Sequence, residues 1–271
     1  YYSSNLLLYH VYSLDLLPRT TLAQSMDVLS SMASLAGYRA VIKAAEVYNG
    51  VFPMFTTAAG TLTPVKILVL GAGVAGLQAI ATARRLGAVV EAFDVRKSAG
   101  EEVRSLGAIF IEVEGYTESA NAGGYAVEQS EEYQKKQKEL IHNHILTANI
   151  VISTANIPGR KAPLLIETRS VEAMQPGSVI IDLAAEQGGN CELSKNKQII
   201  NHNGVTILGH SSLSTEIPAA ASKLLSNNYF SFIKYKQKAE DQPDDPLLTA
   251  SQIMKEGQWT HPHFTKQLQP A

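Results

Sequence analysis

The segment from Lys66 to Arg96, KILVLGAGVAGLQAIATARRLGAVVEAFDVR, constrains the fold more than any other part of the sequence. A run of apolar residues ends at Gly71, Gly73 and Gly76, spaced G-x-G-x-x-G, and an apolar-periodic stretch follows. In such a turn the first glycine permits a sharp change of direction, the second lets the backbone approach a diphosphate, and the third lets the helix pack on the strand. The segment therefore predicts a strand, a tight turn and a helix whose N-terminus faces phosphate.

Strand-like and helix-like segments continue to alternate after this turn. The predicted strands are Lys66–Leu70, Val89–Phe93, Ile109–Glu112, Ile150–Ser153, Ser178–Leu183 and Val205–Leu208, and the predicted helices are Val74–Leu86, Ala99–Leu106 and Glu128–Ala148. Such alternation is typical of a parallel sheet with helices on both faces. We therefore expect an α/β fold, with a Rossmann-like doubly wound parallel sheet over residues 58–210.

The segments on either side of this sheet predict the remnant of a second α/β lobe, linked to it by long helices. Residues 1–57 contain a strand-like run from Leu6 to Leu17 and a helical pattern from Ser25 to Tyr48. A further helix, Ile217–Lys234, dominates residues 211–236 and is expected to return to that lobe, and residues 237–271 read as a loose, polar tail. A strand at Leu6–Leu17 needs pairing partners that the preceding residues cannot supply, so we expect this chain to be the later part of a longer one.

Composition narrows the function classes. Hydrophobic residues make up 45% and charged residues 18%, with a net charge of −2, which gives no sign of a nucleic-acid surface. No apolar run approaches the ~20 residues of a membrane-spanning helix. The single cysteine, Cys191, cannot form an intrachain disulfide, has no sequence neighbours typical of a metal or nucleophilic site, and is expected to be inert packing.

Asp94 ends the second strand, at the distance from the glycine turn where an acidic residue binds a ribose diol. A carboxylate there accepts hydrogen bonds from both hydroxyls and repels a 2′-phosphate, whereas Arg96, two residues on, would favour the phosphate. Because Asp94 lies at the strand end, we predict NAD(H), with Val74 and Val95 also beside it. The alternative is a glycine-rich turn in a nucleotide-free fold of the same type.

Several further stretches resemble one family, the NAD(H)-binding soluble domain of the proton-translocating NAD(P)⁺ transhydrogenases. They include AQSMD, AGGYAVEQSEEYQKKQ, IPGRKAP and GSVIIDLAAEQGGNCE, and together with the glycine segment they cover most of the chain from Leu14 to Asn228. The order and number of these segments make the resemblance far more specific than the glycine pattern alone.

The resemblance implies roles for residues of the segment before the long helix. Arg19, Gln24 and Asp27 match a loop that lies beside the nicotinamide ribose and helps to bring NADH against NADP⁺. Ser30, one turn beyond Asp27, falls on the same helix face and would join them. The alternative is that this segment is only a capped helix start.

The resemblance also implies nucleotide contacts later in the chain. Gly124 and Tyr125 match a mobile loop that closes over the nucleotide, Gln137 matches a position near it, and Asn156 opens a turn beside the nicotinamide half. Without the resemblance, the helix around Gln137 reads as a solvated charged face. Asp182 and Glu186 follow the next strand and would serve either the site or the following turn.

The sequence departs from the family in three places. The family carries a further segment before the one that matches Leu14. Glu216 stands where the family has an arginine, and Gln129 stands in the mobile loop where the family usually has methionine. The glycines and Asp94 remain, so we expect the nucleotide site to survive these changes.

The resemblance implies an enzyme component that passes hydride from NADH to NADP⁺ on a partner domain, coupled to proton movement by a separate membrane domain. It also implies a homodimer and a soluble domain at a membrane surface, with no bound metal. Two alternatives remain open. Alanine dehydrogenase has similar glycine and IPG motifs, and a truncated module would bind nucleotide without turnover.

Overall fold

The computed structural model describes residues 9–113, 131–156, 160–239 and 244–262. The strands are β1 (Val11–Tyr12), β2 (Phe55–Thr57), β3 (Gly60–Leu62), β4 (Lys66–Leu70), β5 (Val89–Phe93), β6 (Ile109–Ile111), β7 (Ile150–Ser153), β8 (Val179–Asp182), β9 (Gln198–His202), β10 (Val205–Gly209), β11 (Gln252–Lys255) and β12 (Gln258–Trp259). The helices are α1 (Val28–Val47), α2 (Val74–Arg85), α3 (Ala99–Ser105), α4 (Glu131–Ile145), α5 (Thr168–Glu172), α6 (Pro218–Lys238) and α7 (Pro246–Ser251). The chain forms two compact units, residues 33–217 and residues 1–32 with 218–271.

The larger unit contains a seven-stranded sheet in the order β6-β5-β4-β7-β8-β10-β9. All neighbouring pairs are parallel except β9, which pairs antiparallel with β10 at one edge. The chain runs outward from β4 through β5 to β6 and then returns to β7 on the other side of β4. The point of reversal therefore lies between β4 and β7, where the carboxyl ends of parallel strands leave a crevice for ligands.

Apolar cores lie on both faces of this sheet. On one face, α1, α2 and α3 pack against alternate strand residues, with Val41, Ile80 and Val103 fully buried. On the other face, α4 and α5 do the same through Ile141, Ile145 and Val171. The strands are thus buried on both sides, which explains their nearly continuous apolar sequences. The predicted doubly wound α/β fold is confirmed.

The smaller unit combines short elements from the two ends of the chain. β1, β11 and β12 form an antiparallel sheet. Its core contains Leu14, Met26, Phe232 and Leu247. Residues 246–259, part of the segment expected to be loose, form α7, β11 and β12, because Asp245 caps α7 and β11 pairs with β1.

The strand predicted from Leu6 to Leu17 is wrong beyond Val11–Tyr12. The register shifts between Val11 and Tyr12, and Leu14–Leu16 is a 3-10 turn that places Leu14 in the core. Residues 6–8 lie outside the described part of the chain. Within the ranges that the structure describes, no helix combines the length and apolar character needed to cross a bilayer.

Candidate functional site

The glycine turn joins β4 to α2 at the point where the strand order reverses. Gly71 has a φ of 97°, a conformation that residues with a side chain rarely adopt. A Cβ atom on Gly76 would lie 1.8 Å from the carbonyl oxygen of Gly71, so only glycine lets the helix start this close to the strand. A Cβ atom on Gly73 would have no atom within 4 Å, so this glycine faces open space. Two of the three glycines are therefore needed by the turn itself.

The N-terminus of α2 is open to a ligand. Gly73 is its N-cap and no side chain caps it, while Val74, its first residue, is 41% exposed. The unpaired amides of a first helical turn, with the positive end of the helix dipole, bind diphosphate. Thr154, just beyond β7, supports the turn from behind, because its hydroxyl donates to the carbonyl of Gly71 over 2.9 Å. Sequence analysis did not single out Thr154; the pairing of its strand with β4 is what places it there.

Asp94 follows β5 and lies against this turn. Its Oδ2 accepts a hydrogen bond of 2.8 Å from the backbone N–H of Ala72, inside the glycine motif. Its Oδ1 accepts one of 2.9 Å from the N–H of Arg96. The carboxylate side chain is only 8% exposed. The structure thus brings together the glycine turn and the acidic residue that the sequence pairs with it.

Arg96 forms a two-point contact with the same carboxylate. Its Nε lies 3.0 Å from Oδ1 of Asp94 and its Nη2 lies 3.1 Å from Oδ2. The hydrogen bonds to Asp94 raise the pKa of Arg96, whose partial burial acts in the opposite direction. Between the two, Val95 packs against the core that contains α4. Asp94 and Arg96, which sequence analysis weighed as opposing signals, are therefore one charge-neutral unit.

The other predicted nucleotide contacts of this unit have mixed outcomes. Gln137 is 8% exposed and lies one turn before the buried Ile141 on α4, so it is not part of a solvated face. Asn156 is exposed, close after the end of β7. Gly124, Tyr125 and Gln129 lie outside the described residues, as does the IPG segment after Asn156.

The predicted nicotinamide loop lies in the smaller unit. Arg19 and Gln24 are exposed, and Thr21–Met26 is a 3-10 helix capped by the hydroxyl of Thr20. Asp27 caps α1, because its carboxylate accepts from both the backbone N–H of Ser30 over 2.9 Å and the hydroxyl of Ser30 over 2.6 Å. The pair Asp27–Ser30 therefore exists, and it has a structural role of its own.

Asp182 organises the loop that follows β8. It is fully buried and accepts hydrogen bonds from the N–H groups of Ala184, Asn190 and Cys191 over 2.9, 2.9 and 3.0 Å. Of the two roles considered for it, these contacts favour the turn. Burial raises the pKa of the Cys191 thiol to about 12, so it stays protonated at neutral pH.

Asn190 joins this loop to the end of β7. Its side-chain nitrogen donates to the carbonyls of Ala155 and Pro163, each over 2.8 Å. Within the described part of the chain, no cluster of three His, Cys, Asp or Glu side chains is arranged to hold a metal ion. The loops after β4, β5, β7 and β8 thus meet at one edge of the sheet, and each is fixed by side chains from its neighbours.

Comparisons with known proteins agree with this architecture. The family described as "Alanine dehydrogenase/PNT, C-terminal domain" matches residues 40–262. An NAD(P) transhydrogenase alpha subunit of Rhodospirillum rubrum is 47% identical over 263 residues, covering 94% of this chain and 68% of that protein. The crystal structure of transhydrogenase from Sinorhizobium meliloti has a TM-score of 0.82 and 47% identity, over 92% of this chain and 68% of that one.

A more distant structure shares the fold. L-alanine dehydrogenase superposes with a TM-score of 0.71 at 23% identity, over 95% of this chain and 68% of that one. The chain spans about two thirds of the length of the first relatives that it matches.

Proposed function

Because the chain belongs to the alanine dehydrogenase/PNT family, on the side of the NAD(P) transhydrogenase alpha subunits, we propose that it binds NAD(H) and passes hydride to NADP⁺ held by a partner domain. Membership of this family supports a nicotinamide-nucleotide site and an oxidoreductase-related role. The choice of NAD(H), the partner domain and the coupling to a membrane domain that moves protons are the proposed parts.

The hydrogen bond from the Ala72 N–H to Asp94 carries the assignment of the nucleotide site. It fixes a carboxylate beside the turn whose open glycine, Gly73, leaves room for a diphosphate. With the diphosphate at the N-terminus of α2, the adenosine ribose would lie at Asp94. The rest of the nucleotide would extend across the reversal point toward the end of β7, where Asn156 is exposed.

The chemistry asks little of this chain beyond positioning. Bound NADH would supply a hydride, with its electron pair, from C4 of its nicotinamide ring directly to C4 of the NADP⁺ ring. Such a step needs no general acid or base from the protein, which must orient the rings and exclude water. Arg19 and Gln24 offer exposed polar groups for that purpose, while the bonds to Ser30 hold the carboxylate of Asp27 in one orientation.

The proposed assembly follows from the same reasoning. An NADP(H)-binding domain would dock against the nicotinamide side, and a membrane domain would couple the reaction to proton translocation. The chain would act as a homodimer at the membrane surface. The names of the relatives, which call them an alpha subunit of a larger enzyme, support this arrangement.

Hydride exchange with a supplied partner domain tests the proposal. The full chain is mixed with an NADP⁺-loaded domain from a transhydrogenase, and NADH-dependent formation of NADPH is followed enzymatically. We expect turnover with the native chain and a large loss with Asp94→Asn. Glu112→Gln is the matched control, because Glu112 is an exposed carboxylate that pairs with Arg104 away from the glycine turn. Absence of turnover together with saturable NADH binding would leave only a nucleotide-binding module.

Alanine dehydrogenase activity is the second candidate, because the matching family includes those enzymes. The direct check is NADH oxidation after addition of pyruvate and ammonium, without any partner domain. Oxidation under these conditions would overturn the transhydrogenase assignment. We expect none.

A further inference from the structure

The ribose-binding carboxylate of Asp94 has no acceptor position left for a ribose. A carboxylate offers about four lone-pair directions. Oδ1 accepts from the N–H and the Nε of Arg96, and Oδ2 accepts from the N–H of Ala72 and the Nη2 of Arg96. A ribose diol needs two of these positions. It therefore cannot bind to Asp94 while the guanidinium of Arg96 stays where it is.

The guanidinium occupies the two positions in the way that a diol would. Its Nε and Nη2 point two parallel donors at the two oxygens, 3.0 and 3.1 Å away, as 2′- and 3′-hydroxyls donate to an acid in a dinucleotide site. Nη2 also donates to the carbonyl of Ala72 over 3.3 Å, which ties the arginine to the glycine turn itself. The cleft beside Asp94, lined in part by Phe110 and Tyr133, has a volume of about 10 Å³, room for about one water molecule.

Of the four donors, only those on the arginine side chain can leave. The two backbone N–H groups are fixed by the turn and by the end of β5. The Arg96 side chain is 32% exposed, against 8% for the carboxylate that it covers, and it can rotate into solvent on a long stem. Its presence without nucleotide also has a physical reason, because a nearly buried carboxylate without a counter-charge is costly.

We propose that Arg96 is a latch on the ribose site: it occupies Asp94 in the absence of nucleotide, and the adenosine ribose diol displaces it on binding. This inference rests on the proposed nucleotide site and adds a residue that sets its affinity and its requirement for a diol. Nucleotides that present both hydroxyls open the latch. Nucleotides that lack them leave the carboxylate with the arginine.

A latch has a sign that an ordinary binding contact does not. Removing the guanidinium removes a competitor, so the apparent affinity for a diol-bearing nucleotide rises by the fraction of time that the latch was closed. For a partly exposed two-point ion pair we expect a gain of about five-fold. An arginine that simply contacts the nucleotide would give a loss on removal.

The test compares Arg96→Met with the native chain. Dissociation constants are measured for NADH by fluorescence and for AMP and 2′,3′-dideoxy-AMP by displacement of NADH. We expect Arg96→Met to bind NADH and AMP about five-fold more tightly and dideoxy-AMP unchanged. Arg96→Lys, which keeps the charge but lacks the forked geometry, should lie between the two. Lys97→Met, which removes a neighbouring exposed cation that lines the same cleft, controls for charge and should show no gain.

Each result decides between the possibilities. Weaker binding of AMP by Arg96→Met, in a sample whose thermal unfolding matches the native chain, overturns the latch and makes Arg96 a direct contact. An equal gain for AMP and dideoxy-AMP also overturns it, because competition with the diol is then not the cause. No NADH binding by either chain overturns the proposed nucleotide site itself, and the latch with it.

Discussion

The glycine turn of the larger unit and the Thr20–Ser30 segment of the smaller unit both match motifs in the sequence, yet they carry different information. At the turn, the backbone itself requires the residues, since a methyl group on Gly76 would overlap the carbonyl oxygen of Gly71. In the Thr20–Ser30 segment, the same side chains satisfy ordinary capping needs, as Asp27 does for α1. A pattern is therefore a strong predictor of structure where geometry leaves one solution, and a weak predictor of function where a common solution also fits.

The substitution Gly76→Ala is expected to have the largest effect. The added methyl would stand 1.8 Å from the carbonyl oxygen of Gly71, and both atoms belong to or adjoin the backbone, so neither can move aside cheaply. We expect a loss of about 3 kcal/mol or more in the free energy of unfolding. Denaturant unfolding measures it.

Gly73→Ala provides the contrast within the same motif. Its φ of −77° suits any residue and its Cβ would meet nothing within 4 Å, so folding should be unchanged. NADH should bind about ten-fold or more weakly, because the methyl would stand where the diphosphate approaches. Native-like binding by this variant would remove the diphosphate from the turn.

The sequence predicted the sheet well because buried parallel strands and close-packed turns leave few choices. It missed β9, the antiparallel edge strand, whose half-exposed alternation QIINH lacks a continuous apolar run. It also missed the order in residues 246–259, where a polar composition suggested a loose tail. The α7 helix there depends on Asp245, whose carboxylate caps it and accepts from the hydroxyl of Tyr235, contacts that only the folded chain brings together.

The site was predicted in proportion to the same constraint. Gly71, Gly76 and Asp94 lie where the motif requires them, because strand order and helix packing fix all three. The two-point contact between Arg96 and Asp94 could not be read from the sequence, since it depends on a side-chain conformation rather than on spacing.

Substitutions at Asp27 sharpen the comparison in the smaller unit. Asp27→Ala removes the cap of α1 and should cost about 1 kcal/mol in the free energy of unfolding. Asp27→Asn keeps a good capping side chain and should restore most of that stability. If the residue also serves the nicotinamide, Asp27→Asn should still transfer hydride to the partner domain more slowly than the native chain. Full restoration of both properties would leave Asp27 as a cap alone.

The larger unit also has an acid-sensitive anchor. Glu91 on β5 lies 2.9 Å from Lys66 and 2.6 Å from His144 on α4. Burial raises the pKa of the Glu91 carboxyl, but its hydrogen bonds and charge interactions with Lys66 and His144 together lower it more. A lowered folded-state pKa gives stability that is complete above the unfolded value of 4.5 and is lost as pH falls toward the folded value.

Thermal unfolding as a function of pH checks this anchor. The melting temperature of the native chain should fall below about pH 4.5, and Glu91→Gln should lie lower at neutral pH and decline less steeply in acid. Glu132→Gln, which removes a highly exposed carboxylate paired only with Lys136 of the same helix, is the control and should follow the native curve. Identical acid profiles for Glu91→Gln and the native chain would assign the decline to other carboxylates.

The smallest expected effect concerns Glu216, which stands where the resembled family has an arginine. Its Oε2 accepts from Nε and Nη2 of Arg39 on α1, over 2.8 and 2.7 Å. Glu216→Arg would place two cations together and should lower the free energy of unfolding by about 1 kcal/mol, while the double exchange with Arg39→Glu should recover most of it. Recovery would mean that the departure from the family is accommodated by a single contact within the larger unit, as the glycine turn is, and that it leaves nucleotide binding unchanged. A double variant that stays destabilised would instead show that the position depends on surroundings beyond Arg39, so that local geometry there decides less than it does at the turn.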